Sequence, residues 1–168
     1  MSGRFDEIEA NILHLRRFAL ALTRDGDRAD DLVQDTVERA LSRWRLRKPG
    51  LPLRPWLFAI LRNLHVSGHR RALRQVTLDG VDIDGFAAPE GVAEGRLELA
   101  RVLRLLAGLP EEQRMAILLV SVEGFSYAEA AGIMKIPQGT LMSRLSRGRK
   151  KLRELVESPP EKRLRRVV

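Results

Sequence analysis

Arg144, Arg147, Lys150 and Lys151 recur at intervals near one helical turn, with Thr140 and Ser143 just ahead of them. Guanidinium and ammonium groups in such a row suit an anionic partner. Arginine takes the O6 and N7 atoms of guanine bidentately, and lysine neutralises phosphates. The same spacing also fits a solvated basic face on an ordinary core helix. A second polar set, Asp30, Asp31, Gln34 and Asp35, lies opposite an apolar helical stripe. Covalent and redox chemistry find no such support. There is no Gly-rich phosphate loop and no nucleophile–base arrangement. The chain has no cysteine, which excludes a disulfide or a thiolate metal site. His14, His65 and His69 lack ligand-like neighbours and read as structural or surface residues. No catalytic residue, metal or cofactor is expected, so the residue types point to a binding protein and not an enzyme.

The basic row needs a helix, and its surroundings supply one. Ser126 and Glu129 form an S-x-x-E capping box, and Ala130, Ala131, Ile133 and Met134 follow as a short helix. Pro137 stops it, and Thr140 is the expected cap of the next. In that next helix Leu141, Leu145, Gly148, Leu152 and Leu155 form one buried stripe, leaving the basic groups outside. A short helix, a tight turn and a long helix with one apolar and one basic face make a helix-turn-helix.

Upstream, Ile8, Ile12, Leu15, Ala19 and Leu22 mark a first helix. Asp27 is the expected N-cap of a second, which turns Ala29, Leu32, Val33, Val37, Ala40, Leu41 and Trp44 inward. After a loop at Lys48–Pro52, a third helix carries Trp56, Leu57, Ile60, Leu61 and Leu64 inward and ends near Arg71. Residues 96–107 and the stretch from Pro110 to about Val122 read as two more, the latter with Glu111 and Glu112 favourably placed at its start. Aromatic residues are 5% of the chain, so leucine, alanine, valine and isoleucine are expected to fill the cores. No strand is required; the fold class is all-α.

Charge divides the chain further. Residues 1–72 hold 14 Lys+Arg against 9 Asp+Glu, residues 73–98 hold 2 against 6, and residues 99–168 hold 14 against 7. Two basic bodies joined by an acidic strip suit a polyanion partner, because basic side chains displace counterions from phosphates. No signal peptide is evident, nor any apolar run near the ~20 residues that span a bilayer. A cytoplasmic protein without membrane insertion is expected.

Two stretches together closely resemble the small extracytoplasmic-function group of bacterial sigma factors. One is Asp30-Asp31-Leu32-Val33-Gln34-Asp35-Thr36 with Arg54-Pro55-Trp56-Leu57-Phe58-Ala59-Ile60-Leu61-Arg62-Asn63. The other is Leu109-Pro110-Glu111-Glu112-Gln113-Arg114 with the helix-turn-helix and Gly139-Thr140-Leu141-Met142-Ser143-Arg144-Leu145-Ser146-Arg147. The resemblance implies a sigma-2 domain over 1–73, a flexible acidic linker over 74–95, a sigma-4 domain over 96–157 and a basic disordered tail over 158–168. It implies a promoter-specificity subunit that binds core RNA polymerase and promoter DNA. Asp30, Asp31, Gln34 and Asp35 would dock on polymerase. Arg62 and Asn63 would lie by the −10-reading surface, and the loop from Arg47 to Leu53 would capture an extruded base. Thr140, Ser143, Arg144 and Arg147 would read the −35 element, with Lys150 and Lys151 on phosphates. An anti-sigma protein with amphipathic helices would dock between the two tethered bodies. Trp56 reads as core, since it pairs in spacing with Ile60.

This chain has Ser67 where the family often has an acid. It has Lys135 where the turn usually has glycine, and Met142 where the recognition helix often has lysine. A sigma-mimicking adaptor that sequesters an anti-sigma protein is one competing reading, and a plain helix-turn-helix repressor another. Such an adaptor would carry a receiver domain and tend to lose the basic face, and a repressor leaves the Asp30–Asp35 pattern unexplained.

Overall fold

The computed structural model describes the backbone of Ser2–Gln75 and Ala93–Ser158, and side chains over 3–68 and 98–158. Among the described residues every regular element is helical. The centre of the expected acidic linker and nearly all of the expected tail fall outside them.

Three helices form the first bundle: α1 (Ser2–Thr23), α2 (Gly26–Ser42) and α3 (Leu53–Gln75). Helix α1 buries Ile8, Leu15, Ala19 and Leu22 of the stripe its periodicity predicts, adds Phe18 and Ala21, and leaves Ile12 only partly buried. It ends where Arg24 takes a left-handed φ of 58°. That turn leaves Asp25 extended, and Asp25, not Asp27, caps α2 by accepting from the Arg28 N–H at 3.0 Å. Asp27 sits two residues further in, within the first turn, where its charge still favours the helix start. Thr36 is fully buried on the inward face of α2, its hydroxyl satisfied by the Leu32 carbonyl at 2.7 Å. Trp56 packs edge-on to Trp44, with centroids 6.2 Å apart.

The second bundle holds α4 (Ala93–Ala107), α5 (Glu111–Ile117), α6 (Tyr127–Met134) and α7 (Gln138–Glu157). Where a regular helix is expected to run on to Val122, residues Leu118–Val122 instead form a π turn. It closes as the Glu123 N–H bonds the Leu118 carbonyl at 2.9 Å and Phe125 reaches Leu119 at 3.0 Å, with Gly124 at φ 73°. The capping box of α6 is complete: Glu129 N–H bonds Ser126 Oγ at 3.1 Å, and Ser126 N–H bonds Glu129 Oε2 at 2.9 Å. Lys135 ends α6 at φ 55°, ψ 45°, the left-handed position that glycine usually fills. Helix α7 starts earlier than expected, because Pro137 already holds N-cap geometry and the first turn begins at Gln138. Thr140 therefore lies inside that turn and is not the cap. Gly148 lets α7 cross α5 closely, since a Cβ there would meet Ile117 Cδ1 at 2.9 Å and Gln113 Cβ at 3.2 Å.

The bundles do not stand apart. Helix α3 packs along α6, and Phe58 sits between Phe18 of its own bundle (5.1 Å between centroids) and Phe125 of the other (4.9 Å). Phenylalanine thus occupies the centre of a core that is continuous across both halves, although aromatics are scarce.

Candidate nucleic-acid and polymerase interfaces

Three expected surfaces can be located. On α7, Ser143, Arg147, Lys150 and Lys151 are exposed, while Thr140 and Arg144 are partly covered. The stripe Leu141, Leu145 and Gly148 is buried, so Arg147, Lys150 and Lys151 project away from the core as their spacing requires. Arg147 Nε donates to the Ser143 carbonyl at 3.3 Å, which lays that side chain along the helix. Arg144 is not free: its Nη2 pairs with Glu112 Oε2 of α5 at 3.0 Å, and 19% of its side chain is exposed against 68% for Glu112.

On α2, Asp30, Asp31, Gln34 and Asp35 are exposed opposite the buried stripe. Asp30 is held by Arg16 at 2.6 Å, which raises the arginine pKa chiefly through that hydrogen bond. Gln34 donates to Glu38 at 3.1 Å. Asp31 and Asp35 make no ion pair among the described residues, and like charges four apart on a helix disfavour it slightly. An unneutralised acidic stripe of this kind fits a basic counterpart.

On α3, Arg62 and Asn63 are half-buried, and Arg62 Nη1 reaches Asn63 Oδ1 at 3.4 Å. The preceding loop turns at Gly50, φ 83°, and holds Leu51 exposed; Leu46 is exposed just ahead of it. Arg47 stacks over Trp44 at 5.1 Å.

A fourth cluster escaped the sequence reading. Glu123, at the end of the π turn, has a side chain only 1% exposed. Its carboxylate accepts from Arg17 Nε at 2.9 Å and Arg54 Nη2 at 2.8 Å, and lies 3.1 Å from His14 Nδ1, all three in the other bundle. The hydrogen bond to Glu123 raises the Arg17 pKa, outweighing its partial desolvation. Arg54 also stacks over Phe58 (5.5 Å) and Phe125 (4.6 Å). A further contact across the bundles joins His65 Nε2 to Glu111 at 2.8 Å. The signal was present: Glu123 falls four residues after Leu119 and seven after Ala116, both fully buried on one stripe. Arg114, 5% exposed, has a pKa lowered first by burial and then by Arg24. Among the described residues no group of three or more His, Asp or Glu could hold a metal ion, and no helix is long and apolar enough to cross a membrane.

Residues 99–152 match the family described as Sigma-70, region 4, and residues 8–62 match the Sigma2 domain of PhyR. The ECF RNA polymerase sigma factor EcfG of Rhodopseudomonas palustris is 42% identical over 155 residues, covering 90% of this chain and 83% of that protein. Among solved structures, the sigma factor RpoE in complex with the anti-sigma factor NepR from Bartonella quintana superposes with a TM-score of 0.84 at 38% identity, covering 94% of this chain and 98% of that one. CnrH in complex with the cytosolic domain of CnrY superposes with a TM-score of 0.69 at 28% identity, covering 89% and 84%.

Proposed function

The chain belongs to the extracytoplasmic-function RNA polymerase sigma factors, and we propose that its α2 face docks on core polymerase while its α3 and α7 faces read the −10 and −35 promoter elements. The observation that carries this reading is the pairing, on one chain, of an unneutralised acidic stripe at Asp31 and Asp35 with a recognition helix that holds Arg147, Lys150 and Lys151 exposed. Neither half alone would direct a polymerase to a sequence. Asp30 and Gln34 complete the docking face. Arg62 and Asn63 belong to the −10 side, and Thr140, Ser143, Arg144 and Arg147 to the −35 side. Lys150 and Lys151 take phosphates. The protein has no reaction of its own to catalyse and works in the cytoplasm. Its relatives' complexes with anti-sigma proteins support an anti-sigma partner here too.

An adaptor that copies a sigma factor only to sequester an anti-sigma protein needs no DNA-reading charge. The match of residues 8–62 to the PhyR domain gives that reading its one foothold. The exposed Arg147, Lys150 and Lys151 argue against it. Run-off transcription with core polymerase and a genomic promoter library separates the two. A specific transcript dependent on this chain is expected, and none at all, with active core enzyme, would reject the reading.

A further inference from the structure

Resting on the promoter-reading role above, the geometry points to a closed, self-inhibited arrangement whose latch is Glu123. In it the Glu123 carboxylate occupies the place that a DNA phosphate takes on His14, Arg17 and Arg54 once the bundles part.

Size makes opening necessary. The −10 and −35 elements lie about 25 base pairs apart, roughly 85 Å along the duplex at ~3.4 Å per pair. A folded chain of this length has a radius of gyration near ~15 Å and a diameter of about 40 Å. Two bundles sharing one core cannot present α3 and α7 to sites that far apart. The chain between Gln75 and Ala93 can reach ~60 Å when extended, so separation of the bundles is sufficient.

Closure is secured at the Glu123 cluster. A carboxylate this deeply buried is tolerated only when paired and hydrogen-bonded. Arg17 and Arg54 supply both, one to each oxygen, and His14 flanks the second. Arg54 is fixed a second time by the rings of Phe58 and Phe125, so charge and apolar contact hold the same point. When Glu123 and Phe125 withdraw together, the arginines lose their anion, and Arg54 keeps its stacking on Phe58 of its own helix. Arg54 lies on α3, the helix of Arg62 and Asn63, about 12 Å from Arg62 at ~1.5 Å per residue. A phosphodiester offers two non-bridging oxygens in the same sense as the carboxylate, and arginine pairs with both groups through the same fork. The latch therefore masks a backbone-phosphate site beside the −10-reading surface.

The absence of cysteine permits a clean test: Glu9 and Glu154, exposed and one in each bundle, are replaced by cysteine and labelled for energy transfer. Glu123→Gln is expected to lower transfer efficiency and to tighten binding of a single-stranded −10 oligonucleotide at least tenfold. Arg17→Gln/Arg54→Gln is expected to open the protein equally but without the gain in affinity. Adding those two changes to Glu123→Gln should abolish its gain and flatten the salt dependence by about 0.7 in log–log slope, the value for one single-strand phosphate contact. Circular dichroism accompanies each variant, and the arginine pair probes the latch from the other bundle should Glu123→Gln fold poorly. Unchanged energy transfer in both variants overturns the latch. Opening with an affinity that ignores Arg17 and Arg54 overturns the phosphate site. Neither outcome touches the sigma-factor reading, which stands or falls on the transcript made by the parent chain.

Discussion

Replacing Arg144 with alanine separates base reading from charge on the recognition helix. The side chain is held by Glu112 at 3.0 Å, but Glu112 is 68% exposed, so the pair contributes only about 0.2–1 kcal/mol to folding. Because Leu141 and Leu145 carry the packing of that turn, the variant stays folded. If Arg144 grips guanine bidentately, its loss costs about 1–3 kcal/mol, or roughly 5- to 150-fold in affinity, and only where the guanine is present. The pair with Glu112 must break before that contact forms. Glu112→Gln should therefore tighten binding to the preferred duplex by up to about 5-fold, and the gain should vanish when Arg144 is also alanine. Lys150→Ala is the reference, weakening all sequences alike and reducing the salt slope by ~0.9. The assay is fluorescence anisotropy on a panel of −35 duplexes, each with one base pair changed, at two salt concentrations. Equal losses for Arg144→Ala on every duplex, with a slope change like that of Lys150→Ala, would make Arg144 a phosphate contact and rotate the reading face.

Reversing Asp31 and Asp35 to lysine should leave helicity unchanged and weaken association with core polymerase, measured by surface binding; unaltered affinity would move the docking face elsewhere. Lys135→Gly should raise stability. A left-handed non-glycine residue costs ~1–2 kcal/mol, glycine gives back part of that through unfolded-chain entropy, and a net gain of about 0.5–1 kcal/mol raises Tm by about 1–4 °C. A fall in Tm would mean that Lys135 makes compensating contacts.

What was legible in the sequence was local. The capping box of Ser126 and Glu129, the end of α6 ahead of Pro137 and the stripes of α1, α2 and α7 depend on residues within a few positions of one another. The misplaced caps show where that reading thins out. Asp25 and Asp27 are chemically equal candidates, and the choice belongs to the backbone at Arg24. Thr140 loses its capping role to a proline that needs no side-chain bond. Arg144 reads as exposed from the helical wheel, yet Glu112 of another helix covers it. The closure of the bundles was hidden for the same reason, because it joins residues more than 100 positions apart, such as Arg17 and Glu123. A lone acid on a buried stripe was the only trace of it.

The three phenylalanines at the junction give the closed form a characteristic response to temperature. Separating Phe58 from Phe125 wets apolar area of the order of 200–400 Å², at ~150–250 Å² for each ring. Each Å² adds ~0.45 cal/mol/K to the heat capacity, so opening should carry an increment of about 0.1–0.2 kcal/mol/K. The apolar part of closure therefore weakens as the protein is cooled. At low temperature the junction leans more heavily on the charges around Glu123, and there salt should loosen it most.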